Sequence, residues 1–211
     1  MKSFPLSGFA AASLVVAALF LNACKEPTSV DTDPMLPAEP ISESVPAAPT
    51  DPKHETAIVA AGCFWGVEEI FRKIPGVVNT TVGYTGGTTV NPTYEEICTG
   101  RTGHAEAIEV VYDPARVDYA TILDFFFRLH DPTTLNRQHN DIGTQYRSAI
   151  FYTSAGQKEI AERVKADQAP NFRKPIVTEI SPASVFYSAE DYHQDYLVKN
   201  PGGYNCHILR D

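Results

Sequence analysis

The run Ala57-Ile58-Val59-Ala60-Ala61 gives way within two residues to apolar positions Val67, Ile70, Phe71 and Ile74, spaced at i, i+3, i+4 and i+7. A strand period that turns so abruptly into a helix period demands a tight strand–turn–helix junction, and Gly62-Cys63-Phe64-Trp65-Gly66 is the only stretch available to build it. Gly62 permits the sharp turn, and Gly66 leaves space beside the sulfur. Cys63 then stands among the unpaired N–H groups at a helix start, where the positive end of the dipole favours thiolate over thiol. Phe64 and Trp65, the chain's single tryptophan, offer a small apolar wall. A buried core cysteine at a strand end is the alternative for Cys63 taken alone.

Upstream of this junction the chain changes character twice. Lys2, the apolar span from Phe9 to Leu21 and Asn22-Ala23-Cys24 have the layout of a secretory signal, too short to span a membrane comfortably. Leu21-Asn22-Ala23-Cys24 is similar to a bacterial lipoprotein cleavage box, which makes residues 1–23 a signal peptide and Cys24 a lipid attachment point. An uncleaved anchor and cleavage elsewhere are the alternatives, and each exports the domain. Residues 25–56 hold seven prolines, seven acids against two lysines, and no Phe, Tyr or Trp, so residues 24–56 are expected to be a disordered tether.

Residues 57–211 suit one domain with a real core. They carry 14 Lys and Arg against 19 Asp and Glu with no basic run, which speaks against nucleic acid. Strands alternating with helices predict a two-layer α/β (α+β) sandwich. After a helix over 64–74, a strand is expected from Val77 to Tyr84, and Thr93 with Glu96 has the capping-box spacing that starts a short helix at Tyr94. Ala105 to Tyr112 alternates, with Glu106, Ile108, Val110 and Tyr112 on one face and Ala105, Ala107, Glu109 and Val111 on the other. Either face fits a core. If the first looks inward, desolvation raises the Glu106 pKa and makes it a general acid; a solvated edge glutamate is the alternative.

Asp118 is placed to cap a helix with the stripe Ile122, Leu123, Phe126 and Leu129, which reads as core. His130 to Tyr146 is long, polar and irregular, and is expected to be an ordered, site-lining loop. Further elements are a strand from Ser148 to Thr153, a helix from Gly156 to about Gln168, a strand from Ile176 to Ser181, and a helix around Glu190 to Lys199 that sets Tyr192 and Tyr196 at i, i+4. A tail from Tyr204 follows the stop Asn200-Pro201-Gly202-Gly203 and is expected to be mobile.

With Cys24 assigned to the anchor, three cysteines remain, an odd number that flags a reactive thiol. Cys63 has the helix start, Cys206 the tail, and Cys98 no activating neighbour, so Cys63 is paired with Cys206. Without Cys-x-x-Cys or His-x-x-x-His, a metal site is not expected; only Cys206-His207 is adjacent.

Gly62-Cys63-Phe64-Trp65-Gly66, Gly103-His104-Ala105-Glu106, Pro92-Thr93-Tyr94-Glu95-Glu96, Asn140-Asp141-Ile142-Gly143-Thr144-Gln145-Tyr146-Arg147 and Gly202-Gly203-Tyr204-Asn205-Cys206-His207 together resemble the A-type peptide methionine sulfoxide reductases, over Thr56 to Arg210. The resemblance implies a mixed, ferredoxin-like sheet flanked by helices. It implies Cys63 as nucleophile, Glu106 as the acid that protonates the sulfoxide oxygen, and Cys206 as recycling cysteine. It also implies Phe64 and Trp65 as the methyl pocket and Tyr94, Asp141 and Tyr146 as the groups that orient the oxygen, with Tyr196 and Tyr204 as lesser candidates. The reaction it implies is reduction of methionine S-sulfoxide, free or in proteins, through a Cys63 sulfenic acid and a Cys63–Cys206 disulfide. A thioredoxin-like donor reopens that disulfide, no prosthetic group is needed, and the protein is expected to act as a monomer. A thioether-binding module and a thiol peroxidase are the competing functions, separable by stoichiometric methionine release and by relative rates on hydrogen peroxide.

Overall fold

The computed structural model describes residues 53–211, and the expected signal peptide, Cys24 and nearly all of the tether lie outside the described residues. The elements in chain order are β1 (Glu55–Ala61), α1 (Phe64–Phe71), β2 (Val77–Thr85), α2 (Tyr94–Cys98), β3 (Ala105–Tyr112), α3 (Tyr119–Leu129), β4 (Arg137–Gln138), β5 (Asp141–Ile142), β6 (Ser148–Tyr152), α4 (Ala155–Gln168), β7 (Glu179–Pro182), β8 (Tyr187–Ser188) and α5 (Tyr196–Lys199). Six strands form one mixed sheet in the order β7-β6-β1-β3-β2-β8, with β6 and β7 parallel and the other pairs antiparallel.

Strand alternation decides which side chains meet the helices. Ala57, Val59 and Ala61 of β1 and Ile108, Val110 and Tyr112 of β3 share a core with Val67 and Phe71 of α1 and Ile122, Leu123, Phe126 and Phe127 of α3. The opposite face, with Ile58, Ala60, Ala105, Ala107, Ala149 and Phe151, is covered by Phe186 and Ala183. The Glu106 face of β3 is therefore the one turned to the helices, which answers the question the alternation leaves open.

The caps follow the sequence. Thr93 and Glu96 form both halves of the expected box at α2, worth about 1 kcal/mol, and Asp118 accepts from the Thr121 N–H at α3.

Two expectations, for the strand after Pro175 and the helix after Glu190, are corrected, and the polar loop between α3 and β6 has the order expected of it with elements of its own. The strand after Pro175 starts at Glu179 rather than Ile176, because the Val177 N–H is already taken by the Pro132 carbonyl. The loop His130–Tyr146 is ordered, holding the two-stranded β4–β5 ladder and a 3-10 turn over Thr144–Tyr146. The helix expected from Glu190 is reduced to the four residues of α5. Asp195 adopts φ 52°, its N–H bonded to Glu68 Oε2, while Gln194 spends its amide on the Val82 backbone. Tyr192 and Tyr196 accordingly do not pair: Tyr192 lies against His193, and Tyr196 stacks on Trp65.

Candidate active site

The junction after β1 forms as its spacing predicts. Gly62 has φ +97°, Cys63 is the N-cap of α1, and the helix begins at Phe64. The Phe64 N–H donates to Glu106 Oε2 at 3.1 Å, so the carboxyl sits at the helix start one residue beyond the sulfur. Cys63 is 6% exposed and Glu106 2%. Register puts Glu106 opposite Tyr84, whose hydroxyl donates to Glu190 Oε2 at 2.8 Å, while Glu190 Oε1 accepts the Tyr94 N–H at 2.9 Å. Glu190 thereby ties the start of α2 to the sheet beside Glu106.

Phe64 and Trp65 do form an apolar wall, and it extends further than the sequence suggests. Trp65 stacks on Tyr196 with centroids 3.8 Å apart and planes 13° apart. His193, fully buried, lies 5.1 Å from the Phe64 ring and 4.3 Å from the Tyr94 ring, and its Nδ1 accepts the Trp65 indole N–H at 2.9 Å. Burial holds the imidazole down at about 4, a neutral acceptor at ordinary pH. Sequence reasoning passed over His193; the only signal was its place three residues after Glu190 and directly after Tyr192.

The C-terminal tail brings the second sulfur. Cys63 and Cys206 are free thiols, and each is the largest influence on the other's acidity. Asp141, 2% exposed on β5, accepts from the Tyr204 hydroxyl at 3.1 Å through each oxygen and from Cys206 at 3.4 Å. Burial and the neighbouring Cys206 charge raise the Asp141 carboxyl to about 7, against the opposing Tyr204 bond. Tyr204, a lesser candidate in sequence, is thus a direct partner of Asp141. Tyr146 is buried at the end of the 3-10 turn that feeds β6, whose Ser148 pairs with Ala61, two residues before Cys63.

Two expectations about the sulfurs change. Cys63 is pushed well above the ordinary thiol range by its neighbour Cys206, by burial and by the Glu106 charge, which outweigh the Trp65 N–H that favours its thiolate. The thiolate character of the pair lies on Cys206, whose pKa is lowered chiefly by its Cys63 neighbour. The tail is also not loose. His207 Nε2 meets the Ala61 carbonyl at 2.7 Å, and the Arg210 guanidinium donates to the Phe127 carbonyl at 2.6 Å at the end of α3, holding the chain past Cys206. Gly66 is the reason the tail fits. A Cβ there would lie 2.7 Å from His207 Nδ1 and strike Asn205 Oδ1, so the space beside the helix is filled by tail. The competing reading of Cys63 as an inert core cysteine is hard to reconcile with a carboxyl and a second thiol converging on it.

A sequence model of the peptide methionine sulfoxide reductase family matches residues 55–211. The peptide methionine sulfoxide reductase MsrA of Methanothermobacter thermautotrophicus is 55% identical over 160 residues, 75% of this chain and 94% of that protein. Among solved structures, Mxr1 from Saccharomyces cerevisiae in reduced form superposes with a TM-score of 0.74 at 41% identity, covering 76% of this chain and 95% of that one. Mxr1 in complex with Trx2 gives a TM-score of 0.53 at 30% identity, covering 76% and 94%.

Proposed function

This chain belongs to the A-type peptide methionine sulfoxide reductases, and from that premise we propose how its own residues carry the reaction. It is an oxidoreductase that returns methionine sulfoxide to methionine by cysteine chemistry, with a thioredoxin-like protein as external reductant and no prosthetic group.

The reading is carried by one observation: the Glu106 carboxyl accepts at the helix start that Cys63 caps, and both it and the Cys206 sulfur lie near enough to Cys63 to act on its thiol. Glu106 gives its proton to the sulfoxide oxygen, which makes the sulfur electrophilic. Cys63 attacks, methionine departs, and Cys63 is left as sulfenic acid. Displacement of Cys206 by the incoming substrate removes the first of the three influences that keep the Cys63 proton in place. The helix N–H groups are then free to favour the thiolate. Phe64 and Trp65, the latter fixed between Tyr196 and His193, receive the ε-methyl group. Tyr94, Asp141 and Tyr146, joined by Tyr204, orient the oxygen.

The Cys206 thiol next attacks the sulfenic sulfur, forming the Cys63–Cys206 disulfide and releasing water. The donor protein reopens it. The substrate is the S epimer, free or within proteins, and the domain works outside the cytoplasm on a lipid held by Cys24; the leader-like pattern of residues 1–24 supports that location.

The test is turnover of resolved methionine S- and R-sulfoxides with dithiothreitol. Reduction of the S epimer that vanishes in Cys63→Ser, with peroxide reduction far slower, is expected. A Cys63→Ser variant with full turnover, or preference for the R epimer, overturns the reading.

A further inference from the structure

The tail that brings Cys206 to the site brings a histidine with it, and the ring is held more firmly than a surface tail residue needs. His207 is 3% exposed. Its backbone N–H donates to Asn205 Oδ1 at 2.9 Å, and Nε2 lies 2.7 Å from the carbonyl oxygen of Ala61, the last residue of β1. A carbonyl oxygen only accepts, so Nε2 carries a proton and, in the neutral ring, Nδ1 is a bare lone pair. Nδ1 lies 3.3 Å from Cys206 Sγ. The strand that delivers Cys63 therefore also fixes the tautomer of the ring that faces the second sulfur.

We propose that His207 is the general base of the resolving step: its Nδ1 takes the proton of the Cys206 thiol as that sulfur attacks Cys63. The proposal rests on the functional reading above, since it needs a Cys63 sulfenic acid. Atoms and electrons balance without any further oxidant. The Cys206 S–H bond breaks towards Nδ1, the Cys206 electron pair forms the S–S bond, and the S–O bond of Cys63 breaks. The released hydroxide and the proton taken by His207 together make one water molecule.

A base is needed there because an ordinary thiol is only a few per cent thiolate near pH 7. The influence of the Cys63 thiol that lowers the Cys206 pKa in the reduced pair is also lost once Cys63 becomes sulfenic acid. His207 Nδ1 remains within reach of the Cys206 sulfur, 3.3 Å away. The titratable groups around the dyad are Asp141 and Tyr204 on the Cys206 side, Cys63 with Glu106 at the helix start, and His130 at the end of α3. Burial holds His130 down at about 3, so it stays neutral through the working range.

The test uses His207→Gln, whose amide N–H can keep the bond to Ala61 while offering no base to Cys206. One equivalent of methionine sulfoxide is mixed with reduced protein in the absence of any other thiol. Methionine release and Cys63–Cys206 disulfide are each followed by quenched mass analysis from pH 6 to 9. The ratio of the disulfide rate to the methionine-release rate is expected to fall about 100-fold near neutral pH, a modest value for loss of a general base. Dimedone should then trap the accumulating sulfenic acid, and the disulfide rate should climb about tenfold per pH unit, as expected for an attack that depends on the thiolate of an ordinary cysteine. An unchanged ratio with an unchanged pH profile overturns the proposal, as does an equal loss in both steps. Absence of methionine release from the unaltered protein instead sinks the functional reading. His207→Asn carries the same expectation where the glutamine variant does not fold.

Discussion

Gly66→Ala is the perturbation whose consequence follows most directly from the packing. An added Cβ would lie 2.7 Å from His207 Nδ1 and 3.2 Å from His207 Cβ. Ordinary contact is about 3.5 Å, so the ring has to move by about 0.8 Å. A displacement of that size takes the 2.7 Å bond to the Ala61 carbonyl off its geometry and leaves a buried acceptor short of its partner, at a cost of about 1–3 kcal/mol. With about 1.4 kcal/mol per factor of ten, the docked tail becomes about 5- to 150-fold less populated. The helix itself gains, because alanine is favoured over glycine by about 1 kcal/mol inside a helix. The net change, between zero and a loss of about 2 kcal/mol, should leave the domain folded while the disulfide rate falls at least fivefold relative to methionine release. Iodoacetamide should alkylate Cys63 faster than in the unaltered protein. A normal disulfide rate with unchanged alkylation would show that the tail does not depend on the gap at Gly66, and the account of tail docking would fail.

Other perturbations read other parts of the site. Glu106→Gln removes the proton donor and should slow single-turnover methionine release about 100-fold or more, measured by rapid quench, while any sulfenic acid formed still goes on to disulfide. His193→Phe keeps a ring beside Phe64 but leaves the Trp65 N–H without its acceptor, costing about 1–3 kcal/mol. A rise in KM and a shift in the emission of the single tryptophan should report it. Asp141, raised to about 7 from 3.8 by burial and the Cys206 charge, binds its proton more tightly folded than unfolded. Its ionisation therefore opposes folding, and stability should fall as pH rises from about 4 to 7. Glu68, raised to about 7 by burial and Asp195, adds in the same direction. Denaturant midpoints across that window should decline, and less steeply in Asp141→Asn.

Much of the fold was legible because periodicity is a local property. The change of period at Gly62, the capping pair Thr93 and Glu96 and the alternation over Ala105–Tyr112 each dictate an element from a few neighbouring residues. What failed depended on distant partners. The helix drawn from Glu190 has good local spacing, yet Glu68 and Val82 take up the Asp195 and Gln194 groups and cut it short. The acidity order of Cys63 and Cys206 was equally invisible, since a helix start predicts an activated Cys63 and only the folded tail shows what opposes it. His193 was overlooked, and His207 noted only as a neighbour of Cys206, for a similar reason. A histidine acquires its role from what lies across the ring, Trp65 in one case and Ala61 in the other, and neither neighbour is near in sequence. Resemblance of motifs supplied Glu106 and Asp141, for which alternation and loop length gave position without purpose.

The most direct test of the central claim is the intact mass and disulfide map of the reduced domain after one equivalent of methionine S-sulfoxide, with no reductant present. One methionine per chain, and a protein lighter by two hydrogens whose new bond joins Cys63 to Cys206, is the predicted result. Methionine formed without that bond, or a bond to Cys98 in its place, contradicts it.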